Sequence, residues 1–324
     1  MLYVVVSILT IFTSNDIIVI TFTPFLIFFC KSTKINPIPY LIGEFVGTNT
    51  WSMFLIIGNP TNIYLATSFN IDFITYLEYM FIPTIFAGLF SLGLMLLIFK
   101  NQFKLPLNNG VEEARISDKN IFLVSLSLLV ICIILLSISS WINFPMWIIA
   151  SVCGGLLLVF LIIYCSINRT EFFIFKESVL RIPFNLTPLL LSMFVIVLTL
   201  HSYDITKHLY EFLNVKETIL SYGLSSLISA NLINNIPMSV LYVDIIQNFS
   251  SISKEAIFAT VISSNLAAFL TPMGALAGMM WMGILKRNGI KFSFGKFSAY
   301  GACTCIPTLL VSLAGLYLSF YIFG

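Results

Sequence analysis

The sequence predicts an all-α membrane protein with several spans, and three observations predict it. Of its 324 residues, 59% are hydrophobic and only 9% are charged, whereas a soluble domain is about 25% charged. The mean hydropathy is +1.01. Apolar runs of about 20 residues, the length that a helix needs to cross a bilayer, recur along the chain. Because so few polar residues cannot cover a soluble protein of this size, the lipid bilayer is the expected surroundings.

Composition and spacing also exclude several classes of function. The net charge is only +2 and no cluster of basic and aromatic residues occurs, so no nucleic-acid partner is expected. The six cysteines show neither zinc-ligand nor redox spacing, and we interpret them as small packing residues. No metal site and no cofactor are therefore expected. No serine–histidine pair, H-E-x-x-H motif or aspartate pair supports an enzyme.

Five apolar runs predict uninterrupted spans. They are residues 76–99, 120–140, 143–165, 184–203 and 297–322. Two further runs, 39–68 and 255–285, are equally long but carry glycine, proline and asparagine in their middle. Such residues free backbone groups, which a membrane protein tolerates where the backbone lines a cavity or packs on protein. We therefore predict two broken helices.

Two pairs of shorter apolar arms surround polar tips. Arms 1–13 and 16–30 flank Ser14-Asn15-Asp16, and arms 217–232 and 235–248 flank Asn234-Asn235. The predicted structures are two re-entrant hairpins, 1–30 and 217–248, whose tips lie near the middle of the membrane. A single kinked spanning helix is the alternative for each.

The distribution of basic residues bears on that choice. If both hairpins are re-entrant, loops 31–38, 100–119, 166–183 and 286–296 lie on one side and hold thirteen of the sixteen lysines and arginines. The positive-inside rule then predicts that this side is cytoplasmic. A spanning helix at 217–248 would move the last of these loops outside. The first hairpin is supported mainly by analogy with the second.

The same order of elements occurs twice. A hairpin, a broken helix and a span fill the first repeat, 1–99; a linker at 100–119 follows, and the second half, 120–324, ends with the same series. Asn15 precedes Asn49 by 34 residues, and Asn235 precedes Asn265 by 30 residues. Because the hairpins enter from opposite sides, we predict an inverted repeat, the usual plan of an alternating-access transporter.

Polar residues at the tips and breaks form the predicted substrate or ion site. Half-helix N-termini favour anions and unwound carbonyls favour cations, and short neutral side chains add donors and acceptors. The set is Ser14, Asn15, Asp16, Thr48, Asn49, Thr50, Asn59, Thr61, Asn62, Asn234, Asn235, Ser264, Asn265 and Thr271. The alternative for each residue is a hydrogen bond between packed helices.

Two carboxyl groups in apolar surroundings are predicted carriers of a coupling H⁺ or Na⁺. Asp16 lies at the first tip and Glu44 in the first broken helix. Asp16 could instead cap the helix that follows it. Glu44 could instead lie at the cytoplasmic interface, because it follows Pro37 and Pro39 closely.

Several motifs carry a resemblance to a known family. In the first broken helix they are Thr48-Asn49-Thr50-Trp51-Ser52 and Gly58-Asn59-Pro60-Thr61-Asn62, and at the hairpin tips Phe12 to Asp16 and Leu232 to Pro237. Together with Ser264 to Trp281, the strongest match, they resemble the corresponding motifs of the arsenite efflux permeases of the ion transporter superfamily. The resemblance implies that Asn15, Asp16, Asn49, Asn59, Asn62, Asn235, Asn265, Thr271 and Gly274 line the site.

The resemblance also implies a function: efflux of arsenite or antimonite in exchange for protons, through the plasma membrane of a bacterium. The expected partner is a small oxyanion or neutral hydroxylated solute. Some systems of the family add a cytoplasmic ATPase, and whether the chain forms a homodimer is left open. A sodium-coupled carboxylate transporter or a Na⁺/H⁺ antiporter is the alternative within the superfamily. Family members carry spans before the first hairpin, whereas this sequence opens on it, so an inactive N-terminally truncated remnant is a third alternative.

Overall fold

A computed structural model of the chain describes residues 1–102, 118–138, 144–168, 186–213, 217–248 and 253–324. These residues form fourteen α-helices and no strand. The helices are α1 (Leu2–Phe12), α2 (Asn15–Ser32), α3 (Ile38–Trp51), α4 (Pro60–Ser68), α5 (Phe73–Ile98), α6 (Lys119–Ser137), α7 (Met146–Asn168), α8 (Leu186–Ser202), α9 (Ile205–Leu213), α10 (Thr218–Ile233), α11 (Asn235–Gln247), α12 (Lys254–Leu266), α13 (Leu276–Arg287) and α14 (Phe294–Phe323). The predicted fold class, an all-α polytopic membrane protein, is confirmed.

Five helices in the described part of the chain are long and apolar enough to cross a membrane: α2, α5, α6, α7 and α14. Four of them match predicted spans. The fifth predicted span, 184–203, corresponds to α8, which has 17 described residues. The first two residues of that predicted span, most of the linker 100–119 and most of the loop 166–183 lie outside the described residues.

Helix α2 is longer than the predicted hairpin arm, residues 16–30. It has 18 residues, or about 27 Å at 1.5 Å per residue. Two features extend it: the Ser14 hydroxyl caps its start by accepting from the Ile17 amide at 3.4 Å, and Pro24 is accommodated inside it. Its length suffices to cross a membrane, so the re-entrant form of the first hairpin stays a prediction.

The chain turns at both predicted tips. Helix α1 ends at Phe12 and α2 begins at Asn15, so only two residues separate them. Helix α10 ends at Ile233 and α11 begins at Asn235. The single residue between α10 and α11, Asn234, has φ 77° and ψ 154°, a backbone conformation that few residues other than glycine adopt.

The two broken helices have the same local construction. A short 3₁₀ segment, Ile56–Gly58, separates α3 from α4, and Ala267–Phe269 follows α12 before α13 begins. Gly58 comes nine residues after Asn49, and Gly274 nine after Asn265. In each break the glycine lies against the carbonyl where the first half-helix ends: a Cβ on Gly58 would be 2.0 Å from the Ser52 oxygen, and one on Gly274 would be 2.2 Å from the Ala267 oxygen.

The packing of hairpins on broken helices is also matched. Helix α1 packs on α3, and α10 packs on α12. The second arms cross over: α2 packs on α13, and α11 packs on α4. Each hairpin therefore contacts the first half of its own broken helix and the second half of the other one. This exchange is what a two-fold related pair would produce, although the opposite orientation of the two repeats in a membrane stays a prediction.

Two compact units divide the chain. One comprises Met1–Ile71, Thr75–Val111 and Met193–Gly324, and it contains both hairpins and both broken helices. The other comprises Asp72–Ile74 and Glu112–Ser192, with α6 and α7 packed on each other. Helix α9 was not predicted. It is a short amphipathic helix in a polar stretch, where His208 and Glu211 pair at 3.5 Å on the surface.

Hydrogen bonds join the polar segments at one end of the first unit. The Lys31 ammonium donates to the Asn288 carbonyl at 2.9 Å. The Asn36 amide donates to the Gln102 side-chain oxygen at 3.3 Å. Segments 31–38 and 286–296 and the start of 100–119 therefore meet at the same end of the helix bundle. Six further basic residues of these segments lie in the described part: Lys34, Lys100, Lys286, Arg287, Lys291 and Lys296.

Candidate functional site

Asn265 is the centre of a buried amide cluster between the two broken helices. It lies one residue before the end of α12 and is fully buried. Its Oδ1 accepts from the Ser52 hydroxyl at 2.7 Å and from the Asn59 amide at 2.9 Å. Its Nδ2 donates to the Asn62 oxygen at 2.7 Å. One side chain of the second break thus binds three side chains of the first.

A second contact joins the same elements. The hydroxyls of Thr61 and Ser264 lie 3.0 Å apart. Asn59 also caps α4, because its Oδ1 accepts from the Thr61 backbone amide at 3.1 Å. Asn62 in turn donates to the Ser52 carbonyl at 2.9 Å, across the break. Asn59, Thr61 and Asn62 of the first break are therefore brought together, and each has a defined hydrogen-bonding role.

At the first tip, Asn15 meets Asn49. The Asn49 amide nitrogen donates to the Phe45 carbonyl at 2.8 Å, which fixes the orientation of its side chain. The Asn49 oxygen therefore faces Asn15 and accepts from the Asn15 amide nitrogen at 3.1 Å. Among the described residues, the buried Asn15 Oδ1 has no hydrogen-bond partner. An unpaired buried amide oxygen costs about 1–3 kcal/mol.

The second tip repeats this arrangement with a different acceptor. The Asn235 amide nitrogen donates to the Ser264 carbonyl at 3.2 Å, and its backbone amide donates to the Gly274 carbonyl at 3.1 Å. The Asn235 Oδ1 is buried and has no hydrogen-bond partner in the described part of the chain. Asn15 and Asn235 are 2% and 3% exposed. Equivalent asparagines at the two tips therefore each present one unpaired carbonyl oxygen.

A third group of contacts holds the second tip to the second break. Asn234 donates to the Met273 carbonyl at 3.1 Å. The Thr271 hydroxyl donates to the Asn231 oxygen at 2.7 Å. Gly274 fits closely here, since a Cβ would also be 2.9 Å from the Asn231 oxygen. Thr271 and Gly274 thus shape the loop beside Asn235.

The remaining predicted residues have other surroundings. Thr48 and Thr10 are 3.2 Å apart, a contact between packed helices, and Ser14 acts as a helix cap. The Thr50 hydroxyl is buried without a partner. Asp16 lies in the first turn of α2, half-buried, and its carboxylate makes no hydrogen bond within the described residues. Its position suits the N-terminal end of a helix dipole.

Glu44 is fully buried inside the protein, and its depth in the membrane stays a prediction. The Thr23 hydroxyl donates to its Oε1 at 3.0 Å, and the Trp281 indole donates to its Oε2 at 3.3 Å. These partners come from α2 and α13, so the carboxyl joins the first hairpin to the second broken helix. Neither partner carries a charge, which makes the ionised form of Glu44 costly in this place.

An apolar void of only about 10 Å³ lies beside Trp281, the indole partner of this carboxyl group. Phe45 and Trp281 line it, together with Phe292 and Tyr300. The last two residues also line a larger open cavity with Lys291 and Lys296 at the basic end of the bundle. Phe292 and Tyr300 therefore lie between the side chains around Glu44 and the open cavity at the basic end of the bundle.

Two residues that contact the predicted site residues were not themselves predicted. Ser52 supplies a hydroxyl to Asn265, and Asn231 accepts from Thr271. Ser52 could have been found, because it ends the polar run that begins at Thr48. Asn231 lies inside α10 with no polar neighbour in sequence, so only its contact reveals it. Within the described residues, no group of three or more His, Cys, Asp or Glu is placed to hold a metal ion.

Comparison with known proteins places the chain in a family. The sequence profile described as "Arsenical pump membrane protein" matches residues 1–320. Two relatives with that name, from Yersinia enterocolitica and Escherichia coli (strain K12), are 26% and 27% identical over 83% of this chain. The match covers 64% of each relative, so the chain spans a little under two thirds of their length. A relative from Bacillus subtilis (strain 168) is 22% identical over 95% of this chain and 76% of its own.

The profile match extends over almost the whole chain and includes both tips, both breaks and the amide cluster. The tips and breaks contain the buried asparagines Asn15, Asn49, Asn59, Asn62, Asn235 and Asn265. The chain belongs to the arsenical pump membrane protein family.

Proposed function

We propose that the chain is a secondary active transporter that exports trivalent arsenic or antimony, in the form of arsenite or antimonite, in exchange for protons. The observation that carries this proposal is the pair of buried, unpartnered oxygens on Asn15 and Asn235. Arsenous acid is neutral and carries three O–H donors on one arsenic atom. Unpaired amide oxygens accept such donors without the cost of burying a charge.

The chemistry of the cluster disfavours a carboxylate as the transported solute. Every side chain hydrogen-bonded within the cluster is neutral: Asn15, Asn49, Ser52, Asn59, Thr61, Asn62, Asn235, Ser264 and Asn265. Acceptor oxygens repel an anion, and no Lys, Arg or His among the described residues hydrogen-bonds to this group. Oxygen ligands do suit Na⁺, so Na⁺/H⁺ exchange is the second candidate function.

Glu44 is the proposed carrier of the coupling proton, with Asp16 as a second carboxyl near the first tip. Glu44 links the first hairpin to α13 through Thr23 and Trp281. A movement of either element would change the number of donors around the carboxyl and its access to water. Proton uptake and release would then be tied to the exchange between inward-open and outward-open states.

The proposed orientation places segments 31–38, 100–119, 166–183 and 286–296 in the cytoplasm of a bacterial cell. Thirteen of the sixteen basic residues lie there. The hydrogen bonds Lys31–Asn288 and Asn36–Gln102 support a common side for the described parts of three of these segments. A cytoplasmic ATPase and a second copy of the chain remain proposed partners of the whole protein.

Transport assays test the proposal. Everted membrane vesicles containing the chain should accumulate arsenite when an acidic interior is imposed, and vesicles without the chain should not. Asn15→Ala and Asn235→Ala should each abolish accumulation, because each removes an unpartnered oxygen and only one side-chain hydrogen bond. Asn248→Ala, at the far end of α11, is the matched control and should transport normally.

Two outcomes would contradict this function. Arsenite accumulation equal to that of empty vesicles, with the protein present in the membrane, would reject arsenite export. If the vesicles respond to an imposed sodium gradient but do not accumulate arsenite, Na⁺/H⁺ exchange is favoured. Normal arsenite transport by both tip variants would reject the assigned site while leaving the function standing.

A further inference from the structure

The second compact unit contains a pair of thiols that the proposed transport mechanism does not use. Helices α6 and α7 pack on each other. At one end, the Tyr164 hydroxyl donates to Asp118 at 2.9 Å, and Asn120 donates to the same hydroxyl oxygen at 3.3 Å. Asp118 also caps α6 by accepting from the backbone amides of Asn120 and Ile121. These contacts fix the register of the two helices.

That register brings Cys132 to Cys153. Cys132 follows Asn120 by twelve residues on α6, and Cys153 precedes Tyr164 by eleven residues on the antiparallel α7. Both distances are about 17 Å along a helix axis. The register and the packing of the two helices therefore place the two thiols side by side. Cys165 lies one residue beyond the Tyr164 end, so it is remote from this pair.

The pair is close to one end of its helices and is not sealed in a core. Cys132 is five residues before the end of α6, and Cys153 is seven after the start of α7. At 1.5 Å per residue the pair lies roughly 10 Å or less from both helix ends. Cys153 is 8% exposed, whereas Cys132 is half-buried, so a small uncharged molecule can reach it.

We propose that Cys132 and Cys153 form a two-thiol site that binds trivalent arsenic covalently. Arsenous acid, As(OH)₃, would exchange two hydroxyl groups for the two thiolate sulfurs. Two As–O bonds and two S–H bonds break, two As–S bonds form, and the thiol protons leave in two molecules of water. The arsenic keeps one hydroxyl group and its oxidation state, so no oxidant or reductant is needed.

The number and spacing of the ligands favour this element. Structural zinc sites need four ligands, and among the described residues no third His, Cys, Asp or Glu joins the pair. Two-coordinate soft ions hold their sulfurs on opposite sides of the metal, which neighbouring thiols on packed helices suit less well. Pyramidal arsenic bonds both sulfurs on one side and completes its shell with the retained hydroxyl group.

This site is chemically distinct from the amide cluster of the first unit. The amide cluster offers neutral oxygen acceptors, which suit a solute that must be released quickly. The thiol pair forms covalent bonds and suits slow capture. The inference rests on the proposed function only for the identity of its natural ligand, since binding by the thiols does not require transport.

The test uses the full chain, purified in detergent and reduced, with phenylarsine oxide as the probe. The probe should protect two thiols from a maleimide, and an added free dithiol should reverse the protection. Cys132→Ala and Cys153→Ala should each weaken protection on the order of 10²-fold, because a single thiol loses the gain from two linked bonds. Cys165→Ala is the control and should bind as the unaltered chain does.

Three results would overturn the proposal. Equal protection in Cys132→Ala would show that other thiols bind the probe. Absence of protection in the unaltered chain would show that the two thiols do not bind one arsenic atom together. If Cys132 and Cys153 react with maleimide only after reduction, the two residues form a disulfide and not an arsenic site. Arsenite, used in the same assay, should protect the same two thiols. Arsenite transport by an unaltered chain whose thiols are not protected would reject this site alone, and protection of the thiols in an unaltered chain that does not transport arsenite would reject the proposed function alone.

Discussion

The amide nitrogen of Asn265 donates to the amide oxygen of Asn62 at 2.7 Å, and both side chains are fully buried. The residues lie 203 positions apart and belong to different broken helices. Because Asn265 also accepts from Ser52 and Asn59, the two breaks are joined through one side chain. A change in the conformation of one break therefore either breaks these hydrogen bonds or involves the other break as well.

Asn265→Ala should destabilise the protein as well as stop transport. The change leaves the partners Asn59 and Asn62 without their hydrogen bonds in a buried place, at a cost of roughly 2–4 kcal/mol in total. The thermal unfolding midpoint in detergent should fall, and arsenite transport should be lost. Asn248→Ala should change neither quantity by a comparable amount. An unchanged midpoint for Asn265→Ala would contradict the bonding described for this cluster.

Gly58→Ala and Gly274→Ala should both impair folding or insertion. An added Cβ would meet a backbone oxygen at 2.0 Å or 2.2 Å, and neither carbonyl is at the end of a flexible side chain that could move away. The controls are Gly93→Ala in α5 and Gly283→Ala in α13, where a Cβ meets nothing within 4 Å. These two should be neutral or stabilising by about 0.5–1 kcal/mol. The amount of monodisperse protein extracted from membranes is the measurement, and normal yield of both break variants would refute the close approach.

Glu44→Gln should separate transport from the proton gradient. Glutamine keeps the size of the side chain and the contact with Thr23 but cannot carry a proton. Arsenite flux in vesicles should become insensitive to an imposed pH difference or stop, while the unfolding midpoint stays level or rises because no buried charge remains to be accommodated. Glu255→Gln, an exposed position in the first turn of α12, is the control. Full proton-driven flux in Glu44→Gln would exclude Glu44 as the carrier.

Fusions of alkaline phosphatase should report the orientation of the loops. The enzyme is active only outside the cytoplasm, so fusions after Lys34 and after Gly289 should be inactive. The hydrogen bond between Lys31 and the Asn288 carbonyl predicts that these two fusions agree with each other. A fusion after Lys207, in α9, should be active. Opposite results for the first two fusions would contradict the predicted re-entrant form of the second hairpin.

Much of the architecture follows from local composition. Long apolar runs form helices in a bilayer because each backbone group must be bonded within its own segment. Glycine, proline and asparagine mark where that bonding is interrupted, which is why the breaks at Gly58-Asn59-Pro60 and around Thr271-Pro272 could be predicted. Helix α9 was missed because its amphipathic pattern is short and lies in a polar stretch. The length of α2 was underestimated because a serine cap and a tolerated proline extend it.

The sequence by itself determined the all-α membrane class, the positions of the tips and breaks, and the polar residue types there. Only the tertiary structure decided which of those residues meet. It joined Asn265 to Asn62, gave Glu44 its partners Thr23 and Trp281, and assigned Thr48 to helix packing. The physical reason is that an asparagine offers both donor and acceptor, so its role depends on which groups long-range packing brings within 3 Å, and residue order does not encode that directly.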